Sequence, residues 1–391
     1  MEFDRTINRL NTASYKWDQM EKLFGTSDLL PLWVADMDFA APPAVVEAIV
    51  ERAKHGVYGY TTRPQSYYDA VLGWLERRHG WKIKQEWLTS CPTVMTSLSI
   101  VMEMLTEPGD GVILQSPVYN AFHRDIPLND RKIVENPLRY ENGRYTMDFE
   151  DLERKLASGA AKLMLLCSPH NPVGRVWSPD ELRQVGELCL RYGVPVVSDE
   201  IHFDLVYPGH KHTMFASLSD EIAQNSITLF APTKTFNLAG LQMSNAVIPN
   251  QKWKGMYNRR LNALNLNLES YFALTAVEAA YTRSDQWLDE LLQYLDGNRR
   301  FVIDFIREHL PEIEVVKSEG TYLLWLDCSK LGLSAQEIKS WMYQHAKVAL
   351  MEGSMFGSAG EGFLRLNIAC PRDLLKTGLE RMRQAWPQAR K

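Results

Sequence analysis

Four apolar runs in the middle of the chain end on polar residues of types that do chemistry, and the last of them ends on a lysine. Lys234 lies in SITLFAPTKTFNLAG, directly after an apolar run and before a glycine. A lone lysine at a strand exit is ordinarily a solvated surface group. One that is desolvated beside other cationic groups loses its proton near neutral pH and becomes a nucleophile toward an aldehyde. Thr233 next to it offers a hydroxyl donor for a phosphate. Asp199, in VVSDEIHFD, reads as a helix cap or surface acid, or as a carboxylate that keeps a pyridine nitrogen protonated so that the ring draws in electrons. Asn171, in CSPHNPVG, is a turn former before Pro172 or a hydrogen-bond partner for a phenolic oxygen. Tyr119, after SPV, is core or a stacking surface for a flat heterocycle. Arg365, in GFLRLNIAC, is a solvated strand rung or a two-pronged clamp on a substrate carboxylate, which its planar fork matches.

The elements that must hold these residues read as an α/β protein. Gly109–Pro117, Ala161–Pro169, Gly193–Glu200 and Asn225–Pro232 are nearly continuous apolar runs, as expected of strands covered on both faces. Ser178–Gly193 has an N-cap serine, a first-turn proline, early acids and a closing glycine, so it reads as a crossover helix. The alternation predicts a mostly parallel sheet with right-handed crossovers. Ligands bind beyond the carboxyl ends of such strands. Tyr119, Asn171, Asp199 with His202, and Thr233 with Lys234 all follow apolar runs, which points to one site.

The last hundred residues differ. Ile313–Cys328 and Gly362–Cys370 read as strands of a smaller α+β unit, with a helix over Ser284–Leu310 leading into it. The expected division is a large domain of residues 46–285 and a small one of residues 1–45 and 286–391.

Bulk properties exclude several classes. With 391 residues, 45% hydrophobic and 23% charged, the chain is long enough for two globular domains. A net charge of −5 and the absence of a Lys/Arg-rich run give no footprint for nucleic acid or a membrane surface. The charged N-terminus MEFDRTINRL has no apolar signal core, and no run approaches a spanning helix. Five scattered cysteines without a CxxC suit a reducing cytoplasm and suggest neither a disulfide framework nor a metal site.

SPHNPVG, SDEIHFDL, APTKTFNLAG and FLRLN, in this order and at these distances, resemble the fold-type-I pyridoxal-phosphate enzymes over nearly the whole chain. LPLWVADMDF, YGYT, CSPHNPVGRVW, SDEIHFDLVYPGHKHTMF and KTFNLAGLQMSN are similar to the MalY/PatB/cystalysin branch of cystathionine β-lyases and cysteine-S-conjugate lyases. The histidine three after Asp199 is a mark of that branch. The resemblance implies an aspartate-aminotransferase-like fold with a seven-stranded sheet, and pyridoxal 5'-phosphate held by Lys234 as a Schiff base. It implies Asp199 at the pyridine nitrogen, Asn171 at the phenolic oxygen with His202 nearby, and Tyr119 stacked on the ring. The phosphate is expected on the backbone N–H groups of Thr93 and Val94 and the Thr233 hydroxyl. Tyr60 is expected to reach the phosphate of the other subunit of a homodimer, and Arg365 to bind the carboxylate of a sulfur amino acid. Two departures stand out: Gln242 occupies the place where many members of the wider fold carry a phosphate-binding arginine, and Pro92 stands where the branch often has glycine.

The implied reaction is β-elimination at a carbon–sulfur bond, releasing a thiol, pyruvate and ammonia. An aminotransferase shares every step up to the carbanion, and a regulatory protein that retains the cofactor uses the same residues. A nicotinamide oxidoreductase needs G-x-G-x-x-G after an early strand, which PGDGVIL does not match.

Overall fold

A computed structural model of the chain describes residues 2–389. Seven strands form the central sheet: β1 (Leu88–Cys91), β2 (Gly111–Leu114), β3 (Lys132–Glu135), β4 (Ala161–Cys167), β5 (Val196–Asp199), β6 (Ser226–Phe230) and β7 (Ser244–Val247). Their spatial order is β1-β7-β6-β5-β4-β2-β3, and only β7 runs against its neighbours. The continuous apolar runs are explained by burial on both faces. Leu165, Val197 and Ile227 pack with α1 (Val94–Leu105), while Met164, Leu166 and Val196 pack with α2 (Pro179–Arg191) on the other side. Ser178 caps α2 reciprocally with Glu181, the arrangement its sequence predicts.

Register decides where the site lies. Cys167 at the end of β4 pairs with Asp199 at the end of β5, and Asp199 pairs with Leu229 of β6. The three carboxyl ends therefore finish level, and the residues that follow them meet at one rim.

Three strands were not foreseen in the sequence. β3 is a half-exposed edge strand with charged ends, while β1 and β7 are short and polar, LTSC and SNAV. None of them shows a long apolar run. The single strand expected over Ile313–Cys328 is divided into β8 (Glu314–Val315) and β9 (Leu323–Asp327). Between them Thr321 has a positive φ of 67° and Glu319 turns back to accept from Arg175 Nε at 2.9 Å and Val176 N at 2.9 Å. With β10 (Met351–Glu352) and β11 (Phe363–Asn367) these strands form an antiparallel sheet in the order β8-β9-β11-β10. Arg365 pairs with Trp325 on one side and Met351 on the other. A 25-residue helix, α3 (Asp285–His309), precedes this sheet. Leu30–Pro31 pairs in parallel with Val348–Ala349, tying the N-terminal residues to the same end of the chain. Among the described residues no helix is long and apolar enough to cross a membrane, and no cluster of metal-binding side chains occurs.

A strap of residues 33–39 runs between the two sheets and is held by side chains from both. Asn237, at φ 58°, accepts from Met37 N at 3.1 Å and donates to the carbonyls of Met37 and Phe39 at 3.0 and 2.9 Å. Asn367 donates to the Asp36 carbonyl at 2.7 Å and Tyr322 to that of Ala35 at 2.9 Å. Behind the strap, buried Lys16 and part-buried Arg9 bind Asp38 at 2.6 and 2.7 Å. Asn237→Ala leaves the Phe39 carbonyl and the Met37 N–H of the strap unpaired, the Met37 carbonyl keeping only Arg9 Nη1 at 3.1 Å, and puts a Cβ without local hydrogen bonding into the left-handed region. It is expected to lower unfolding free energy in urea by about 3 kcal/mol and to open residues 33–39 to protease. A loss under about 1 kcal/mol would mean that the strap is held without Asn237.

Candidate active site

Lys234 is in a single helical turn, Pro232–Thr235, that starts directly after β6. Proline at its first position needs no N–H partner and presets the turn. The Thr235 hydroxyl anchors this turn by donating to buried Asp204 at 2.7 Å. Lys234 thereby projects into a cavity of about 160 Å³ lined by Thr93, Val94, Tyr119, Asn171, Asp199, His202, Thr233 and Gln242 among others. Every residue expected to contact the cofactor within one chain lines this cavity. Tyr60 does not: it stands on the surface, 95% exposed.

The lysine amine donates to the Ala35 carbonyl of the strap at 2.6 Å. Burial pulls its pKa down to about 8, with nearby Arg365 adding to the effect and Asp36 and Asp199 opposing it. A sizeable fraction of the neutral amine, the form that attacks an aldehyde, is therefore present near neutral pH. Asp199, at the end of β5, accepts only the Ile201 N–H, at 3.1 Å. Burial drives its carboxyl up to about 7, Glu200 adds to this, and Lys234 counters it. A buried carboxylate with so few donors is matched to a cationic N–H brought in by a ligand. His202 is buried with Nδ1 unpartnered, and burial, then the charges of Lys234 and Arg365, hold its pKa down to about 3, so the ring is neutral.

At the other end of the cavity Thr93 caps α1, its hydroxyl accepting from Thr96 N at 3.0 Å. The N–H groups of Val94 and Met95, in the first turn, have no intrahelical acceptors, and both residues line the cavity beside Thr233. That end suits a phosphate, held by a helix terminus and hydroxyls rather than by a guanidinium. Gln242, at a positive φ of 52°, and Pro92 also line it, so both departures seen in the sequence fall at the phosphate end. An amine, a carboxylate seeking a cation, a tyrosine face and an anion terminus around one small cavity fit pyridoxal phosphate in size and in chemistry.

Arg365 opens on a second cavity of about 630 Å³, which shares Ala35, Tyr119 and Lys234 with the first. Arg365 is 2% exposed and has no carboxylate within ion-pair distance among the described residues. It donates to Asn171 Oδ1 at 3.1 Å, the Trp33 carbonyl at 2.9 Å and Met351 Sδ at 2.7 Å, while Nε is unpartnered. Burial lowers its pKa to about 10, which leaves it charged. A buried cation with neutral partners and a free N–H is a receptor for a carboxylate.

Sequence reasoning missed the strap's direct part in the site. The Ala35 carbonyl receives Lys234, that of Trp33 receives Arg365, and Tyr322 reaches Ala35. The only sequence signal was LPLWVADMDF, whose contribution is made by backbone oxygens that carry no residue-type signature.

Comparison with known proteins shows the family. The family model for aminotransferase class I and II matches residues 27–382. Cystathionine β-lyase PatB of Bacillus subtilis is 48% identical over 385 residues, covering 98% of this chain and 100% of that protein. Protein MalY of Escherichia coli is 34% identical over 380 residues, 97% of each. The structure of cystalysin from Treponema denticola, which contains a pyridoxal 5'-phosphate cofactor, aligns with a TM-score of 0.96 at 37% identity over 99% of each chain.

The Asp199 carboxyl has a testable effect on stability. Its folded pKa, about 7, lies above the ordinary value of 3.8, so folding disfavours the ionised form. For the cofactor-free chain, the penalty is absent below about pH 4 and grows as pH rises through 7. Asp199→Asn should therefore match wild type in urea unfolding at pH 4 and exceed it by about 2–4 kcal/mol at pH 8. Equal stability at both pH values would show that the carboxylate already has adequate partners.

Proposed function

This chain belongs to the aminotransferase class I and II family, and on that premise we propose that it cleaves carbon–sulfur bonds in cystathionine, cysteine or other cysteine S-conjugates, releasing a thiol, pyruvate and ammonia. The observation that carries the reading is the buried Arg365, without a carboxylate partner among the described residues, facing the same cavity as Lys234, an α-amino-acid receptor beside a neutralisable amine. The similarity to PatB supports the lyase outcome over transamination.

Pyridoxal phosphate, when bound, supplies an electron-withdrawing ring that makes the substrate Cα–H acidic. Lys234 would hold it through Nζ, and the same nitrogen, when neutral, is placed to take the Cα proton of a bound substrate. Asp199 would face the ring nitrogen and favour its protonated form, since a carboxylate is stabilised by the cation it faces. Asn171 holds Arg365 at one end and faces the cofactor cavity at the other. Arg365 fixes the substrate carboxylate and with it the direction of the Cα–H bond, a contribution of orientation. The backbone N–H groups at the start of α1, those of Thr93 and Val94 expected from the sequence and that of Met95 beside them, would hold the phosphate with the Thr233 hydroxyl. The large and small domains, divided near residue 285, then contribute Lys234 and Arg365 respectively.

The assay is release of pyruvate and thiol from cystathionine, cysteine and S-ethylcysteine. Lys234→Ala is expected to lower turnover by roughly three or more orders of magnitude and to abolish the borohydride-fixed cofactor on the peptide containing residue 234. Label retained by the variant would transfer the role to another lysine.

We also propose a homodimer in which Tyr60 reaches the partner's phosphate site. Its exposure, with that of neighbouring Val57 and Tyr58, supports this reading. Tyr60→Ala and Lys234→Ala proteins, mixed and allowed to exchange subunits, should regain about a quarter of wild-type activity, because heterodimers hold one intact site. Arg365→Ala mixed with Lys234→Ala should regain none. The reverse pattern would reassign both residues.

A further inference from the structure

The cavity containing Arg365 changes character from base to mouth. At its base are Lys234, Tyr119 and Arg365, and its rim carries one acid and two bases, Glu352, Arg124 and Lys339, across an apolar middle. A cysteine head group bound on Arg365 occupies only part of about 630 Å³. We propose that the rim is a second amino-acid receptor, in which Glu352 takes the distal ammonium, and Arg124 and Lys339 the distal carboxylate, of a thioether diamino acid such as cystathionine. This inference rests on the lyase reading above and assigns the residues that select among its substrates.

The rim groups are placed for the task. Glu352 follows Met351 on β10, the residue that pairs with Arg365 and touches its guanidinium. The carboxyl clamp and the rim acid therefore lie on one rigid edge of the small sheet. Glu352 Oε1 lies 3.2 Å from Lys339 Nζ and 3.4 Å from the Tyr343 hydroxyl, which also donates to the Leu350 carbonyl at 2.9 Å, and Oε2 is left for an incoming ammonium. Arg124 is joined to Asp125 through Nε at 2.5 Å, which leaves both terminal nitrogens for a carboxylate fork. Arg124 comes from the helix Asn120–Leu128 that follows Tyr119, a different element from the one that carries Glu352. A substituent with two opposite charges finds partners for both here. A plain alkyl group meets only the apolar middle.

These rim groups are part-exposed, so each is worth a modest factor and is screened by salt. The measured quantity is the ratio of kcat/KM for cystathionine to that for S-ethylcysteine. Glu352→Gln is expected to lower this ratio about 5-fold, mostly through KM for cystathionine, and Glu352→Asp to retain most of it. The double variant Arg124→Gln/Lys339→Gln should lower it about 10-fold. In the wild-type holoenzyme the ratio should fall as NaCl rises from about 0.05 to about 0.5 M, a measurement independent of variant folding. A ratio unmoved by the substitutions and by salt would overturn the rim receptor while leaving lyase activity established. Absence of pyruvate from both substrates in wild type would overturn the lyase reading and the receptor with it.

Discussion

Withdrawal of three charged groups from water is the constraint on which this structure depends. Lys234, Asp199 and Arg365 surround two joined cavities, and none of them forms a close ion pair there. Each is held by neutral partners: the Ala35 carbonyl, the Ile201 N–H, the Asn171 amide. Burying charges this way is unfavourable unless a ligand brings the counter-charges. The lowered lysine and raised aspartate pKa values are the same penalty expressed in protons. An active site in this family needs such groups, with an amine that can be neutral and a carboxyl that accepts a cation.

Rigid surroundings keep the three groups from relaxing into one another. The level ends of β4, β5 and β6 set the relation of Cys167, Asp199 and the turn that carries Lys234. Behind that turn, Asp204 gathers the Thr235 hydroxyl at 2.7 Å, Trp74 Nε1 at 3.0 Å and His79 Nε2 at 2.7 Å. Glu200, next to Asp199, points away from the cavity and is occupied by Ser198, His212 and Phe215 N. Two adjacent acids, Asp199 and Glu200, thus have opposite duties. The first is under-satisfied and faces the cavity, while the second is fully satisfied and supports the wall.

The strap of residues 33–39 links the two sheets chemically as well as mechanically. Its carbonyls receive Lys234 from the large sheet's side and Arg365 and Tyr322 from the small sheet's side. A displacement of the small sheet is therefore felt at the lysine through a few backbone bonds. The larger cavity is walled by both sides, so its shape depends on their relative position.

Much of this was legible in the residues. Continuous apolar runs ending in Asn171, Asp199 and Lys234 specify buried parallel strands and a site at their carboxyl ends, because a strand covered on both faces is mostly apolar until it emerges. Residue type also limited the chemistry at each end, and motif order limited the family. Short polar strands such as LTSC and SNAV were invisible, since their pairing is set by neighbours and not by their own pattern. The split of Ile313–Cys328 follows from Glu319 reaching Arg175, a contact 144 residues apart that no local window contains. What only the tertiary structure decided is which backbone oxygens meet Lys234 and Arg365, how deeply each charge is buried, and which charged groups share the outer cavity. Those are properties of distance through space, and desolvation depends on everything that packs around a group, whereas the sequence records only its neighbours along the chain.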